Sequence, residues 1–98
     1  MTKIKKYNSN ITKIGEILKD YRKRLSLPQS SRKFFIEDRI AKGLLLDGKI
    51  SEKTLTNLEN GHNLPSLITL KYLSIALEVD FLDLIKQIEP LIPNRNNE

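Results

Sequence analysis

The sequence predicts a small all-α domain, and three observations support this prediction. Apolar residues recur in several segments at the i, i+3, i+4 and i+7 spacing of a helix. A serine, threonine, asparagine or aspartate stands where each helix would begin, and glycine or proline follows most of them. The chain has 98 residues, enough for one small core, and it contains no convincing strand pattern.

Residues 1–10 are polar and rich in lysine, which predicts a flexible basic N-terminal arm. The helical domain is then expected over residues 11–88, with a first helix at 11–25. Basic residues crowd the last turns of this helix, where the helix dipole favours them. Pro28 prevents the helix from continuing much further.

A second helix is predicted over residues 29–42, with Ser30 or Ser31 as its N-cap. A short apolar run follows at 44–46, and then a turn at Asp47 and Gly48. The apolar run either closes the core or forms a surface for a partner. We favour the core, because single apolar side chains usually bury where they can.

The third helix lies between Ser51, a good N-cap, and Gly61, a good C-terminal stop. On a helical wheel Leu55, Leu58 and Glu59 share one face. The opposite face is polar and carries one cation; it consists of Lys53, Thr56, Asn57 and Asn60. Such a face suits the floor of a DNA major groove, where base edges offer donors and acceptors, but it also suits an ordinary solvated helix.

Two further helices complete the predicted domain. Ser66 caps a helix over residues 67–77, and Asp80 caps a fifth helix that ends before Pro90. Residues 89–98 are expected to form a C-terminal tail.

The charge is unevenly distributed along the chain, whose net charge is +5. Residues 1–33 carry ten Lys/Arg against two Asp/Glu, a net +8, whereas residues 34–98 carry seven against ten, a net −3. Clustered cations release condensed counterions from nucleic acid, so the asymmetry favours a polyanionic partner. A basic surface that serves only solubility is the alternative.

Several classes of protein are not expected from this composition. No apolar run is long enough to span a membrane, and no signal peptide is recognisable, so we expect a cytoplasmic protein. The chain has no cysteine, no glycine-rich phosphate loop and no cluster of metal ligands. Glu37 and Asp38 are adjacent and would diverge on a helix, and the single histidine, His62, follows a glycine. We therefore expect no enzyme, no cofactor and no metal site.

The order of these motifs resembles the phage-repressor-type helix-turn-helix family, also called Cro-like or XRE. The resemblance extends from about residue 14 to residue 85. Its strongest part is Glu-Asn-Gly at 59–61, followed after a few residues by Pro-Ser and a leucine-rich helix. Leu-Pro-Gln at 27–29 and the closing turn and helix at 76–84 also match the family pattern.

The resemblance implies a compact five-helix, repressor-like DNA-binding fold and a sequence-specific transcriptional regulator of bacterial or phage type. The second helix would cross the backbone of double-stranded DNA, and the helix at 52–60 would enter the major groove. Gln29 falls on a phosphate-binding position, and Glu52, Lys53 and Asn57 fall on base-reading positions. The other expected DNA-binding residues are Ser51, Thr54, Thr56, Asn60 and His62.

The resemblance also implies partners and one structural contact. It places Arg22 beside Glu59, which predicts a buried ion pair, because a charge on an apolar face needs a partner. A single domain reads only a half-site, so we expect a homodimer. Leu84, Ile88, Leu91 and Ile92 are the candidate dimer surface. The alternative function is an antitoxin or other interaction module that binds a toxin or another partner protein.

Two features depart from the family pattern. Residues 39–49 form an insertion before the third helix, which either lengthens the second helix or folds over the core as a loop. Glu52 places a carboxylate at a groove-facing position. A carboxylate there can accept a hydrogen bond from a cytosine amine, or it can simply favour the helix N-terminus.

Overall fold

The computed structural model describes the backbone of residues 2–92 and the side chains of residues 9–92. This part of the chain contains five α-helices and one 3-10 turn. The elements are α1 (Thr2–Arg24), α2 (Arg32–Ala41), α3 (Glu52–Glu59), α4 (Leu67–Ala76), α5 (Phe81–Ile88) and the 3-10 turn Glu89–Leu91. Residues 2–92 contain no strand. The predicted all-α class is therefore confirmed.

The starts of α2 to α5 are set by local hydrogen bonds. In each case a side-chain oxygen of the N-cap residue accepts from the backbone N–H three residues on, which satisfies one of the free amides of the first turn. The four caps are Ser31, Ser51, Ser66 and Asp80, with donor–acceptor distances of 3.0–3.1 Å. The third, fourth and fifth helices therefore begin where their N-caps predict.

The first helix begins earlier than predicted. Its backbone is helical from Thr2, so residues 2–10, the predicted arm, continue α1. The segment contains neither glycine nor proline, so no residue in it interrupts the helix that starts ahead of Ile11.

The core draws apolar side chains from all five helices and from the loop before α3. Its buried members are Ile14, Leu18, Phe35, Leu45, Ile50, Leu55, Leu58, Leu70, Leu73, Ala76, Leu77, Leu84 and Ile88. The helices α4 and α5 thus pack against the same core that supports α3.

The insertion forms a loop over the core. The helix α2 ends at Ala41, Gly43 follows with a φ of +75°, and residues 42–50 run as successive turns to the cap of α3. Leu45 and Ile50 are buried in the core, whereas Leu46 is 64% exposed. The loop alternative is correct, and one leucine of the apolar run remains at the surface.

A buried arginine connects the end of α2 to the turn between α4 and α5. The side chain of Arg39 is 2% exposed; its Nη1 donates to the carbonyl oxygen of Ala76 at 3.2 Å and to Oε2 of Glu78 at 2.7 Å. Its Nε donates to Oδ2 of Asp38 at 3.1 Å. Sequence analysis did not single out this network, which holds the insertion at its amino end.

The Asp38 carboxylate predicts a dependence of stability on acid. Its hydrogen bond with Arg39 holds the pKa of Asp38 below the ordinary value of 3.8. A lowered folded-state pKa stabilises the fold above the unfolded-state pKa, and this stabilisation is lost as the pH falls through the folded-state value. Urea unfolding from about pH 5 to about pH 2 should therefore show a steeper acid loss for the native protein than for Asp38→Asn. Equal acid slopes would contradict the role of this contact.

The predicted dimer surface at the end of α5 is wrong. Leu84 and Ile88 are 0% and 1% exposed, because α5 turns its apolar face to the core of its own chain. Leu91 packs partly against the same core, and of the four residues only Ile92 is exposed. The predicted tail therefore begins with a packed 3-10 turn, and its residues 93–98 lie outside the described part of the chain.

Candidate nucleic-acid interface

The helix α3 has one buried face and one polar face. Leu55, Leu58 and Glu59 are buried. Among the predicted DNA-binding residues of this region, Ser51, Glu52, Lys53, Thr54, Asn60 and His62 are exposed, and Thr56 and Asn57 are half-buried. The structure thus places all eight of them on α3 or immediately beside it, with side chains that are exposed or half-buried.

Close contact between backbones fixes the carboxyl end of α3 against α1. A Cβ atom added at Gly15 would lie 2.4 Å from the carbonyl oxygen of Glu59 and 2.5 Å from that of Leu58. A Cβ atom added at Gly61, whose φ is +77°, would lie 2.8 Å from the Cα of Thr12. Both positions require glycine for this approach, and Gly61 also for its left-handed conformation.

A buried carboxylate joins α3 to both preceding helices. Arg22 of α1 donates from Nε to Oε2 of Glu59 at 2.7 Å and from Nη2 to Oε1 at 2.8 Å. Arg32 of α2 donates from Nε to Oε1 at 2.8 Å. Bidentate guanidinium–carboxylate pairs restrict geometry as well as supplying energy, so this cluster holds α1, α2 and α3 in one arrangement.

The sequence did not indicate the contact of Arg32 with Glu59. It also predicted Gln29 at the start of the second helix, which in the structure begins three residues later. Ser31 is the cap and Arg32 the first residue of α2, so Gln29 lies in the connection before the helix and not at its start. The apolar pair Phe34 and Phe35 could have identified Ser31 as the cap, since this pair lies in the first turn of α2. The physical reason for the shift is that the Ser31 hydroxyl, and not that of Ser30, accepts from the amide of Phe34.

Gln29 is nevertheless close to cationic groups. With Arg22, Lys23 and Ser26 it lines a shallow depression of about 260 Å³ between the end of α1 and the start of α2. Gln29 and Lys23 are exposed there. An exposed amide and an exposed ammonium together can bind an anionic oxygen such as that of a phosphate.

The hydroxyl groups at the start of α3 are occupied within the helix. Ser51 Oγ accepts from the amide of Thr54 at 3.0 Å and donates to Thr54 Oγ1 at 2.9 Å. Thr56 Oγ1 donates to the carbonyl oxygen of Glu52 at 2.8 Å. Ser51 and Thr56 have therefore committed their hydroxyl protons to local bonds, and Ser51 stabilises the helix as its N-cap.

The remaining polar groups face outward along one side of α3. Lys53, Asn57 and Asn60 follow the i, i+4, i+7 spacing, so their side chains lie in one row. Within residues 9–92 Lys53 has no ion-pair partner. Asn57 Oδ1 lies 3.4 Å from Nδ1 of His62, a long contact that leaves the Asn57 amide hydrogens free to donate. This row presents an ammonium and two amides.

Glu52 occupies the first turn of α3 and is exposed. A carboxylate at this position interacts favourably with the amino end of the helix dipole. Because it is exposed, it also remains available to accept a hydrogen bond from a base amine.

The described residues were also compared with the requirements of a metal site and of a membrane-spanning helix. No group of three His, Asp or Glu side chains among them is arranged to hold a metal ion. None of the helices in residues 2–92 combines the length and the apolar character that crossing a bilayer requires. Comparison of the chain with protein-family models, with curated proteins and with solved structures finds no match. The function is therefore inferred from the geometry of this chain.

Proposed function

We propose that the protein is a sequence-specific DNA-binding regulator of repressor-like, helix-turn-helix type that inserts α3 into the major groove. The observation that carries the proposal is the contrast between the two sides of α3. Its inner side is held by backbone contact at Gly15 and by the buried Glu59, while its outer side presents a row of donors. A base-reading helix needs both properties, because hydrogen bonds to base edges demand a fixed backbone.

The charge distribution supports the same proposal. The net +8 of residues 1–33 lies on the part of the chain that forms α1, the connection to α2 and the first two residues of α2. Lys23 and Gln29 border the depression between these helices, which suits a DNA phosphate beside the groove. Phosphate contacts of this kind position the protein, and α3 then reads the sequence.

Substitutions should separate base reading from phosphate binding. Lys53→Ala and Asn57→Ala should each weaken binding to the cognate duplex by about 1–3 kcal/mol and relax preference at one base pair, because lysine donates to guanine and asparagine pairs with adenine. Gln29→Ala should weaken cognate and scrambled duplexes by similar factors, since a phosphate contact carries no sequence information. The measurement is a titration of each variant against both duplexes at two salt concentrations.

The matched control is Lys86→Ala, which removes an exposed lysine from α5. It should leave the ratio of cognate to scrambled affinity unchanged.

The salt dependence of binding should also differ between the variants. Gln29 is uncharged, so its removal should hardly change the salt dependence, whereas loss of Lys53 should reduce it if the ammonium also neutralises a phosphate. Equal losses on both duplexes for Lys53→Ala and Asn57→Ala would show that α3 does not read bases.

A second candidate function is a protein-binding module, such as an antitoxin that binds a toxin. The observation that favours it is the exposure of large apolar side chains on α4, α5 and the insertion loop: Leu67, Ile68, Leu82 and Leu46. Apolar surface of this kind marks protein interfaces more often than nucleic-acid interfaces. Absence of any DNA binding by the native protein, together with a stable complex with a second protein, would favour this candidate.

A further inference from the structure

The helix α3 ends in a turn that brings His62 back to Asn57. The amide of His62 donates to the carbonyl oxygen of Asn57 at 2.8 Å, and the amide of Gly61 donates to that of Leu58 at 3.2 Å. With Gly61 in the left-handed conformation, these two bonds form the Schellman motif that closes many helices. A Cβ atom on Gly61 would lie 2.8 Å from the Cα of Thr12, so the turn packs tightly against α1. The backbone therefore sets the position of His62 relative to Asn57.

The side chains of the same two residues also meet. The imidazole Nδ1 of His62 lies 3.4 Å from Oδ1 of Asn57. An amide oxygen can only accept a hydrogen bond, so the ring has to donate from Nδ1. The distance is longer than in an ideal hydrogen bond, so the contact biases the amide without immobilising it. It favours the orientation with Oδ1 toward His62 and opposes the flip that would exchange Oδ1 with Nδ2.

The orientation of this amide matters because the two purines differ in the major groove. Adenine presents the acceptor N7 and the N6 amine, so it pairs with an amide that donates from Nδ2 and accepts at Oδ1. Guanine presents two acceptors, N7 and O6, so its O6 would meet the Oδ1 acceptor. An amide oxygen has two lone pairs, and Oδ1 can accept from His62 and from adenine together. The orientation that His62 favours therefore suits adenine and opposes guanine.

We propose that His62 is a positioning residue for Asn57, whose amide it orients so that α3 selects adenine over guanine. This role differs from a direct contact of His62 with DNA, because His62 acts through Asn57. A direct contact with a phosphate would weaken binding to all duplexes by similar factors, since phosphates carry no sequence information. The selection of adenine rests on the proposed function, whereas the contact between the two side chains belongs to the free protein.

The tautomer of the His62 ring tests the contact without DNA. The chain has a single histidine, so the nitrogen-15 NMR signals of its ring need no assignment among several rings. The measurement is made at about pH 8.5, where an ordinary imidazole is neutral and carries one proton. The native protein should hold more of this proton on Nδ1 than Asn57→Ala does, because the hydrogen bond of the ring sets the tautomer. The same distribution in both proteins would overturn the proposal.

A substitution of the base pair tests the selection of adenine. Two duplexes are compared: the cognate duplex, and one in which the A·T pair whose preference Asn57→Ala relaxes is replaced by G·C. The native protein should bind the A·T duplex more tightly, and His62→Phe, which keeps a ring without a donor, should lower this ratio of affinities by about three- to tenfold. His62→Asn should restore the ratio, because its side chain carries a donor nitrogen on Cγ as histidine does. Asn63→Ala is the matched control, since it changes the next exposed residue of the loop.

The outcomes separate this inference from the proposed function. Circular dichroism checks that each variant is folded. Three results would overturn the positioning role alone: equal weakening of both duplexes by His62→Phe, failure of His62→Asn to restore the ratio, or a native preference for guanine at this base pair. A native protein that binds neither duplex would refute the proposed function and the selection of adenine with it, and the ring tautomer would still decide the contact.

Discussion

Glu59→Ala is expected to lower the free energy of unfolding by about 3–5 kcal/mol. The Glu59 side chain is 0% exposed and accepts three hydrogen bonds from Arg22 and Arg32. Its removal leaves the guanidinium of Arg22, itself 5% exposed, buried without its carboxylate. Since α1, α2 and α3 all meet at this cluster, the loss should appear in a single cooperative transition, measured by urea unfolding followed by circular dichroism.

Glu52→Ala is the matched control, because it removes a carboxylate from the same helix at an exposed position. It should change the free energy of unfolding by no more than about 0.5 kcal/mol, apart from a small contribution of the helix dipole. Combining Glu59→Leu with Arg22→Met should recover part of the loss, since an apolar pair leaves fewer unpaired charges in the core. A loss below about 1 kcal/mol for Glu59→Ala would mean that water already solvates the carboxylate.

Gly15→Ala is expected to destabilise the protein by about 1–3 kcal/mol, although alanine is the better helix former. The added Cβ would lie 2.4–2.5 Å from the carbonyl oxygens of Leu58 and Glu59. These are backbone atoms and cannot rotate away as a side chain can, so α1 and α3 have to separate. Thermal unfolding measures the loss of stability. Gly15→Val should lose more stability than Gly15→Ala, because the valine side chain is larger.

Glu16→Ala is the control for the Gly15 substitution, since Glu16 is the next residue of α1 and is exposed. Its effect should stay within about 0.5 kcal/mol. A gain in stability of about 0.5–1 kcal/mol for Gly15→Ala, as at an open helical position, would contradict the close approach of α1 and α3. Under the proposed function, folded Gly15→Ala should also bind cognate DNA more weakly, because the backbone of α3 would shift.

The starts of α3, α4 and α5 were predictable because the signals that set them are local. Ser51, Ser66 and Asp80 each bond to an amide three residues away, so neither the core nor a partner is needed to identify them. The division of α3 into two faces follows from its 3.6-residue period in the same way. The start of α2 was less certain, because Ser30 and Ser31 are adjacent and only one of them could be the cap.

The beginning of α1 and the surface for a partner could not be predicted in this way. Thr2–Asn10 contains no helix breaker and no strong apolar pattern, so the sequence does not distinguish an arm from a continued helix. The apolar period of α5 is the same whether it faces its own core or another chain, and the structure shows that it faces its own core. The buried Arg39 has the residue type of a surface position, and only its contacts with Ala76 and Glu78 explain its burial.

The sequence by itself therefore determines the all-α class, the caps of α3 to α5 and the polar side of α3, since each depends on residues within one or two turns of each other. The tertiary structure alone decides how closely α1 approaches α3, what the insertion does and which apolar side chains stay exposed. These depend on residues such as Gly15 and Glu59, or Arg39 and Glu78, which lie about forty positions apart and meet only when the core closes. Helical periodicity predicts which apolar side chains share one face of a helix. The partner against which that face packs depends on the fold of the whole chain.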